Sequence, residues 1–216
     1  MNIFTKLFSR PSGPSEDLRD GPFIDLRDGH QYATARIGEH VWLAENLAYI
    51  PRVSHCSTQG GIWVYDYIGD DPEAAKSTIN YERYGCLYDF ETAKQMCPKG
   101  WRLPTKADFQ DLLKAANSPL GECFTYYNLT RGGESGFNAV HGGYRLADKE
   151  SAPKFTGLGE YGDWWTTDEG GYKPDSSDKF NATLHVQTEV RGGRFFVDGG
   201  PGAGLNYGLS VRCVKR

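Results

Sequence analysis

The chain has 216 residues and a net charge of −4, and its lysines and arginines are scattered along the sequence. This length fits one domain with a substantial core, and the scattered basic residues give no electrostatic footprint for nucleic acid. Glycine supplies 27 residues and aromatic residues 13%, which favours short strands and aromatic-rich loops over long helices. We therefore expect one folded domain without a nucleic-acid partner.

Residues 1–20 are predicted to be a flexible N-terminal tail, because proline, glycine and serine follow a short apolar start. A second interpretation is an attachment peptide, whose apolar helical face contains Ile3, Phe4, Leu7 and Phe8. Lys6 interrupts this start and no cleavage site follows, so no signal peptide is predicted. No apolar run approaches the roughly 18 residues of a membrane span. Residues 21–216 are predicted to form the single domain.

The domain is predicted to begin with hairpins. Asp28-Gly29 is a strong turn signal between residues 23–26 and 31–37. Gly38 and Glu39 then turn the chain into another strand, residues 40–44. Residues 51–84 follow as a long irregular segment rich in aromatic residues, with one short helix expected at 73–76.

Two helices are predicted in the middle of the chain. Asp89 is a suitable N-cap for a first helix that Pro98 ends. Thr105 begins a second helix with an approximate capping box, in which Asp108 occupies the third helical position. The buried stripe of this helix is predicted to contain Phe109, Leu112, Leu113 and Ala116.

After residue 120 the apolar pattern changes to the period of two that is typical of strands. Residues 184–190 alternate in this way, and 191–194 turn the chain into an apolar segment at 195–197. A final strand is predicted at 209–213. Two helices combined with strands from both ends of the chain predict an α+β domain.

Five cysteines are present, namely Cys56, Cys86, Cys97, Cys123 and Cys213. No Cys-x-x-Cys pair or closely spaced histidine pair accompanies them, so disulfide bonds are a better interpretation than a zinc site. The odd number leaves at least one thiol unpaired or bonded to another molecule. The sequence leaves the pairing of Cys56, Cys86 and Cys123 open.

Several short motifs carry a family resemblance. They are Gly85-Cys-Leu-Tyr88, Gly100-Trp-Arg-Leu-Pro-Thr105, Gly136-Phe-Asn-Ala139, Gly142-Gly-Tyr-Arg145, Tyr161-Gly-Asp-Trp-Trp-Thr-Thr167 and Ser210-Val-Arg-Cys-Val214. This series resembles the Fibrobacter succinogenes major paralogous domain family. The Gly-Trp-Arg-Leu-Pro-Thr element links that family to the formylglycine-generating-enzyme-like branch of the C-type lectin fold.

The resemblance implies a C-type-lectin-like domain with two helices, mostly antiparallel short strands and long loops. That fold places a long disulfide between a helix end and the last strand, which nominates Cys97 and Cys213 as a bonded pair. The resemblance also places Trp164 in the core. It implies a bacterial protein that is exported or held at the cell surface, and storage in the cytoplasm before export is a further option.

The motifs give little support for catalysis. Formylglycine-generating enzymes use a copper-binding cysteine pair near the C-terminus, whereas Cys213 has no second cysteine near it in the sequence. The five histidines are dispersed, and His141, beside two glycines, is interpreted as a turn residue. The calcium-binding motifs of sugar-binding lectins are absent from the sequence. We therefore predict no enzyme activity, no cofactor and no metal.

The remaining candidates for function are exposed side chains near the late glycine-rich loops. This fold uses that region as a variable ligand platform, and tyrosine, tryptophan and arginine there supply rigid contact area. The predicted ligand-binding residues are Tyr161, Trp165, Tyr172, Arg194, Asn206 and Tyr207.

The predicted function is a non-catalytic binding module that recognises a protein or a glycan through these loops. One alternative is a structural component or cargo of a bacterial secretion or injection assembly, attached through residues 1–20. Another alternative is an enzyme on the formylglycine-generating-enzyme-like fold.

Overall fold

The computed structural model describes residues 21–147, 152–169, 180–187, 194–204 and 206–216. The predicted tail or attachment peptide, residues 1–20, lies outside these ranges. The described residues combine helices with mostly antiparallel strands, which confirms the α+β class. The helices are α1 (Pro72–Lys76), α2 (Ile79–Tyr84), α3 (Phe90–Met96), α4 (Lys106–Ala116) and α5 (Glu122–Leu129).

The expectation of two helices is wrong, because the described residues form five. The predicted pair corresponds to α3 and α4, and α1 lies where the short helix was expected. Helix α2 has six residues, too few to show a helical period clearly. Helix α5 begins after Gly121, an N-cap residue without a side chain, so the usual start signal is missing from the sequence.

The strands of the described residues form three sheets. A first sheet contains β1 (Phe23–Ile24) and β2 (Gln31–Tyr32), and a second has the order β3-β4-β14-β7, formed by Thr34–Ile37, His40–Leu43, Val214–Lys215 and Trp101–Arg102. The largest has the order β12-β11-β10-β13-β6-β5, formed by Arg194–Gly204, Phe180–Gln187, Tyr161–Glu169, Leu209–Ser210, Leu87–Tyr88 and Ile62–Trp63. Strand β8 (Gly142–Leu146) joins β10, and β9 (Lys154–Leu158) pairs with β8.

The two predicted turns are confirmed, but the strand predicted at 31–37 is wrong, because these residues form β2 and β3 in different sheets. Strands β1 and β2 pair antiparallel around the Asp28-Gly29 turn, and β3 pairs with β4 across Gly38 and Glu39. The backbone of Gly38 has φ 59°, in the left-handed region where a glycine is the least strained residue.

The end of the chain corrects a prediction. Residues 209–213 were expected to form one strand, but β13 belongs to the large sheet and β14 to the four-stranded sheet. Val214 of β14 lies between Trp42 of β4 and Arg102 of β7. The chain therefore crosses from one sheet to the next at residues 211–213, all of which are buried. Alternation of apolar residues does not reveal such a crossing.

The disulfide bond between Cys97 and Cys213 is present, with its Cα atoms 5.9 Å apart. This distance confirms the predicted pair and lies within the usual range for such bonds. The bond ties the end of α3 to the chain just before β14. Among the described residues, the other three cysteines have free thiols.

Both predicted helix starts are confirmed. The Asp89 side chain accepts a hydrogen bond from the backbone of Thr92 at 3.0 Å. At α4 the Thr105 hydroxyl accepts from the Asp108 backbone at 3.1 Å, and the Asp108 carboxylate accepts from the Thr105 backbone at 2.6 Å. Asp108 also receives two bonds from the guanidinium of Arg102, at 2.6 and 2.9 Å.

These contacts predict a loss of stability in acid. Burial alone would raise the pKa of Asp108, but hydrogen bonds from Arg102 and Thr105 outweigh it and lower the pKa to about 2. The unfolded chain, with a pKa of 3.8, binds the proton first, so this stabilisation is complete above pH 4 and disappears as the pH falls through 2. At about 1.4 kcal/mol per tenfold change in proton affinity, it is worth about 2 kcal/mol.

We expect Asp108→Asn to lower the free energy of unfolding by about 2 kcal/mol at pH 7, as measured by urea denaturation. The variant should also lose part of the wild-type pH dependence below pH 4. Asp111→Asn is the matched control, because Asp111 lies on the same helix in an exposed ion pair with Lys114 worth less than about 1 kcal/mol. Equal stability losses in the two variants would contradict the role given to Asp108.

Two large apolar cores are present among the described residues, and helix α4 contributes Phe109, Leu112 and Ala116 to one of them. One contains Trp42, Phe109, Phe137 and Trp164, and the other contains Trp101, Trp165, Tyr88 and Cys213. In the predicted stripe of α4, Leu113 is half-buried whereas its three companions are buried.

Among the described helices, none combines the length and apolar character required to cross a membrane.

Candidate functional site

Three tyrosines from different parts of the chain lie together beside the large sheet. The ring of Tyr144 on β8 stacks on that of Tyr207, with centroids 6.4 Å apart and planes 7° from parallel. The edge of Tyr161 on β10 faces Tyr144, also at 6.4 Å. All three side chains are half-buried, so part of each ring faces solvent. We call these three residues the tyrosine cluster.

Glycine at position 157 makes room for two of these rings. A Cβ atom at Gly157 would lie 2.6 Å from Cδ2 of Tyr161 and 3.4 Å from Cε1 of Tyr144. The φ of Gly157 is also +75°, which strains any other residue. The rings of Tyr144 and Tyr161 therefore rest against the backbone of β9, which holds them without a long supporting side chain.

The tyrosine cluster also has polar groups. Burial raises the pKa of the Tyr144 phenol, and the charge of Asp163 and the neighbouring Tyr207 act in the same direction. The phenol of Tyr144 consequently stays protonated at neutral pH and can donate a hydrogen bond. Asp163 is itself buried, two residues after Tyr161 in β10. The cluster thus combines flat apolar rings with hydroxyl donors and a nearby carboxylate.

Arg145, the residue after Tyr144, fixes the loops around the cluster. Its guanidinium donates to the backbone carbonyls of Cys56, Thr58 and Asn206. The guanidinium carbon lies 4.1 Å from the ring centre of Trp63. Burial lowers the pKa of Arg145, and its carbonyl partners join the segment before β5 to the loop that carries Tyr207. Arg145 is therefore a positioning residue for the cluster.

The structure brings three of the predicted ligand-binding residues together. Tyr161 and Tyr207 both contact Tyr144, and Asn206 is exposed next to Tyr207, with its carbonyl bonded to Arg145. Tyr172 lies outside the described residues.

Trp165 contradicts the prediction, because its side chain is buried with 0% of its surface exposed. Its indole nitrogen donates to the backbone carbonyl of Tyr88 at 2.7 Å, and its ring packs against Phe90. Strand β10 has a core on each side, so Trp164 enters one core and Trp165 the other. Trp165 is a core residue, while the prediction that Trp164 is buried is confirmed.

Arg194 lies at the same level of the sheet as Tyr161. Both residues pair with Gln187, on opposite sides of β11, so their Cα atoms are about 10 Å apart from two strand spacings. The Arg194 guanidinium, however, is 3.9 Å from the Glu122 carboxylate on α5. The charged group of Arg194 therefore lies beside α5, at the edge that β12 forms in the described part of the sheet, although its backbone is level with that of Tyr161.

Sequence reasoning missed Tyr144, Asp163 and Arg145. The signal was available, since Tyr144 and Arg145 belong to the Gly142-Gly-Tyr-Arg145 motif and Asp163 to the motif that begins at Tyr161. What could not be seen was that β8 runs parallel to β10 and pairs Gly143 with Gly162. This pairing places the residues that follow the two glycines side by side.

Two further features bear on the site, namely the surroundings of His141 and the grouping of residues that could bind a metal. His141 shares a hydrogen bond of 3.1 Å with the phenol of Tyr126, in agreement with its interpretation as a structural residue. Among the described residues, no three histidine, cysteine, aspartate or glutamate side chains are grouped so that they could hold a metal ion.

Comparison with known families gives one match. The model of the Fibrobacter succinogenes major domain matches residues 35–215. No curated protein matches the chain, and no solved structure matches it. Since the match covers most of the sequence, the chain belongs to the Fibrobacter succinogenes major domain family.

Proposed function

We propose that this member of the family is a non-catalytic binding module whose recognition surface is the tyrosine cluster. The observation that carries the proposal is the meeting of Tyr144, Tyr161 and Tyr207 at one half-buried position, with Asn206 exposed beside them. The ligand is a glycan or a protein, because both classes offer apolar surface edged by hydrogen-bonding groups.

The physical argument rests on how tyrosine binds. A phenol ring supplies a flat apolar face at the cost of only two torsion angles, and its hydroxyl adds directional hydrogen bonding. Rings already held by Gly157 and by the loop anchored through Arg145 lose little further freedom on binding. Preorganised rings of this kind are typical of residues that dominate binding energy.

The same proposal includes a C-type-lectin-like fold and a location outside the cytoplasm. The fold is supported by the bond between the end of α3 and the chain before β14, and by the pairing of the last strand with β4 near the start of the domain. Export is supported by the same bond, since disulfides persist mainly in oxidising compartments.

The test is substitution within the tyrosine cluster. We expect Tyr207→Ala and Tyr161→Ala each to weaken ligand binding by about 1 kcal/mol or more, which is about fivefold. The probes are a glycan array and a display library of extracellular proteins, and affinities for each hit are measured by calorimetry. Melting temperatures check that both variants still fold, and Tyr207→Ala should lower its own moderately because Tyr207 packs against one of the cores.

Tyr127→Ala is the matched control. Tyr127 is an exposed tyrosine on α5 that does not contact the cluster tyrosines through any described ring contact. It should bind every hit as wild type does. Hits from the glycan array alone identify the ligand as a glycan, and hits from the display library alone identify it as a protein. Wild-type affinity in both cluster variants, with folding intact, would show that the recognition surface lies elsewhere.

A further inference from the structure

A groove lies among helices α4 and α5 and the first residues of strand β12. It is lined by Leu113, Asn117, Glu122, Thr125, Tyr126, Arg194 and Phe195, and encloses about 340 Å³. The apolar floor includes Tyr126 of α5 and Phe195 of β12, whose ring centroids are 5.7 Å apart. This volume lies at the small end of the range for pockets that bind ligands, and is large enough for a single side chain of a partner.

The strand beside the groove is an edge. In the described part of the chain, β12 pairs with β11 and with no other strand. Its ladder with β11 is regular from Arg194 to Asp198, and a register shift follows. The residues of this regular part include Phe195, Phe196 and Val197, which have high strand propensity. An edge with this composition is a template for an added strand unless it is protected.

The rim of the groove carries opposite charges. Arg194 and Glu122 have 62% and 85% of their side-chain surface exposed and are 3.9 Å apart. An exposed pair at this distance contributes less than about 1 kcal/mol, so a ligand that presents opposite charges can compete for it. The two groups fit a ligand that presents an acidic group and a basic group on either side of an apolar one.

From the groove, the strand edge and the rim together, we infer that this surface binds an extended peptide segment. The peptide adds as a strand along the open side of β12 and inserts one apolar side chain between α5 and the strand. Its charged residues two positions before and after the inserted one lie on the same face of the strand and contact Arg194 and Glu122. Backbone hydrogen bonds supply affinity in this mode of recognition, while the pocket and the charges supply specificity. This site is separate from the tyrosine cluster.

The experiment selects peptides and then locates them. A phage-displayed library of random linear peptides is panned on the full chain, and the enriched peptides are synthesised. We expect the enriched sequences to carry an apolar residue between opposite charges. Asn117→Trp should weaken their binding at least tenfold by filling the groove, and Arg194→Glu should do the same by reversing one rim charge. Methylating alternate backbone nitrogens of the peptide should also weaken binding, because it removes strand hydrogen bonds.

Controls keep the inference falsifiable. Arg131→Glu makes the same charge change at an exposed arginine outside the groove and should bind as wild type does. Tyr207→Ala should also bind these peptides normally, so that failure here is distinguishable from failure of the tyrosine cluster. If Asn117→Trp unfolds, Glu122→Lys takes its place.

Two results of the panning overturn the inference. One is that no peptide is enriched, and the other is that the enriched peptides bind equally well after groove substitutions and backbone methylation. Concentration-dependent dimerisation that Arg194→Glu abolishes also overturns it, since a second copy would then occupy the edge.

Discussion

Replacing Cys97 and Cys213 together by alanine should lower the free energy of unfolding by about 4 to 5 kcal/mol. The bond joins residues 116 positions apart, so it removes many conformations from the unfolded chain. This loss is a large fraction of the 5 to 15 kcal/mol by which domains are typically stable. We therefore expect the double variant to reach its unfolding midpoint at a much lower urea concentration than wild type, as measured by circular dichroism.

Cys123→Ala is the matched control, because Cys123 is exposed and its thiol is free. Its stability should remain within about 0.5 kcal/mol of wild type. Reducing the wild-type bond should reproduce the loss seen in the double variant. Alkylation and mass spectrometry of protein taken from its native cells measure the redox state of the pair. A fully reduced pair in those cells would contradict the export proposal.

Local signals were readable from the sequence where a single residue type fixes the backbone. Asp89 and Thr105 were predicted as caps, because their side chains satisfy the amide groups at a helix start, and both cap as expected. Helix α5 could not be found in this way, since Gly121 offers no side-chain acceptor. Its apolar residues also lack the single stripe that marks an amphipathic helix.

Long-range arrangement was readable only where the family resemblance supplied it. The pair Cys97 and Cys213 came from the resemblance. Nothing of that kind indicated that β10 has a core on both sides, and Trp165 was therefore placed on the surface. For the same reason, only part of the tyrosine cluster could be predicted from the sequence. Tyr161 and Tyr207 were predicted because the resembled fold uses its late glycine-rich loops as a ligand platform, while Tyr144 required the parallel pairing of β8 with β10.

The second large effect concerns Arg212, whose guanidinium is entirely buried. It donates to the backbone carbonyls of Leu43 and Phe137 and, at 2.8 Å, to Oδ1 of Asn46. The same Asn46 oxygen accepts from the Trp164 indole at 2.8 Å. Arg212 therefore connects β4, the segment before β8, and β10 through one planar group.

Two opposing costs decide what a substitution at Arg212 does. Burial lowers the pKa of Arg212 to about 9, with a weak opposing effect from Glu45, so the cation stays charged at neutral pH and its burial is unfavourable. Its Nε also has no hydrogen-bond partner among the described residues. Against this, removing the guanidinium takes a donor from the Leu43 and Phe137 carbonyls and from Oδ1 of Asn46, which keeps its bond from the Trp164 indole. Each buried oxygen left without a donor costs about 1 to 3 kcal/mol. The contact with the Phe137 ring, 4.6 Å away, is lost as well.

We expect the lost hydrogen bonds to dominate, so that Arg212→Met lowers the free energy of unfolding by about 3 kcal/mol or more. Arg212→Lys should also be destabilised, because an ammonium keeps the charge but cannot span the same carbonyls with a planar fork. Urea denaturation at neutral pH measures both, with the exposed Arg131→Met as the control for loss of an arginine. If Arg212→Met is as stable as wild type, the free-energy cost of burying the cation equals the stabilisation that its hydrogen bonds provide. The buried arginine would then stabilise the fold no better than an apolar residue of similar size.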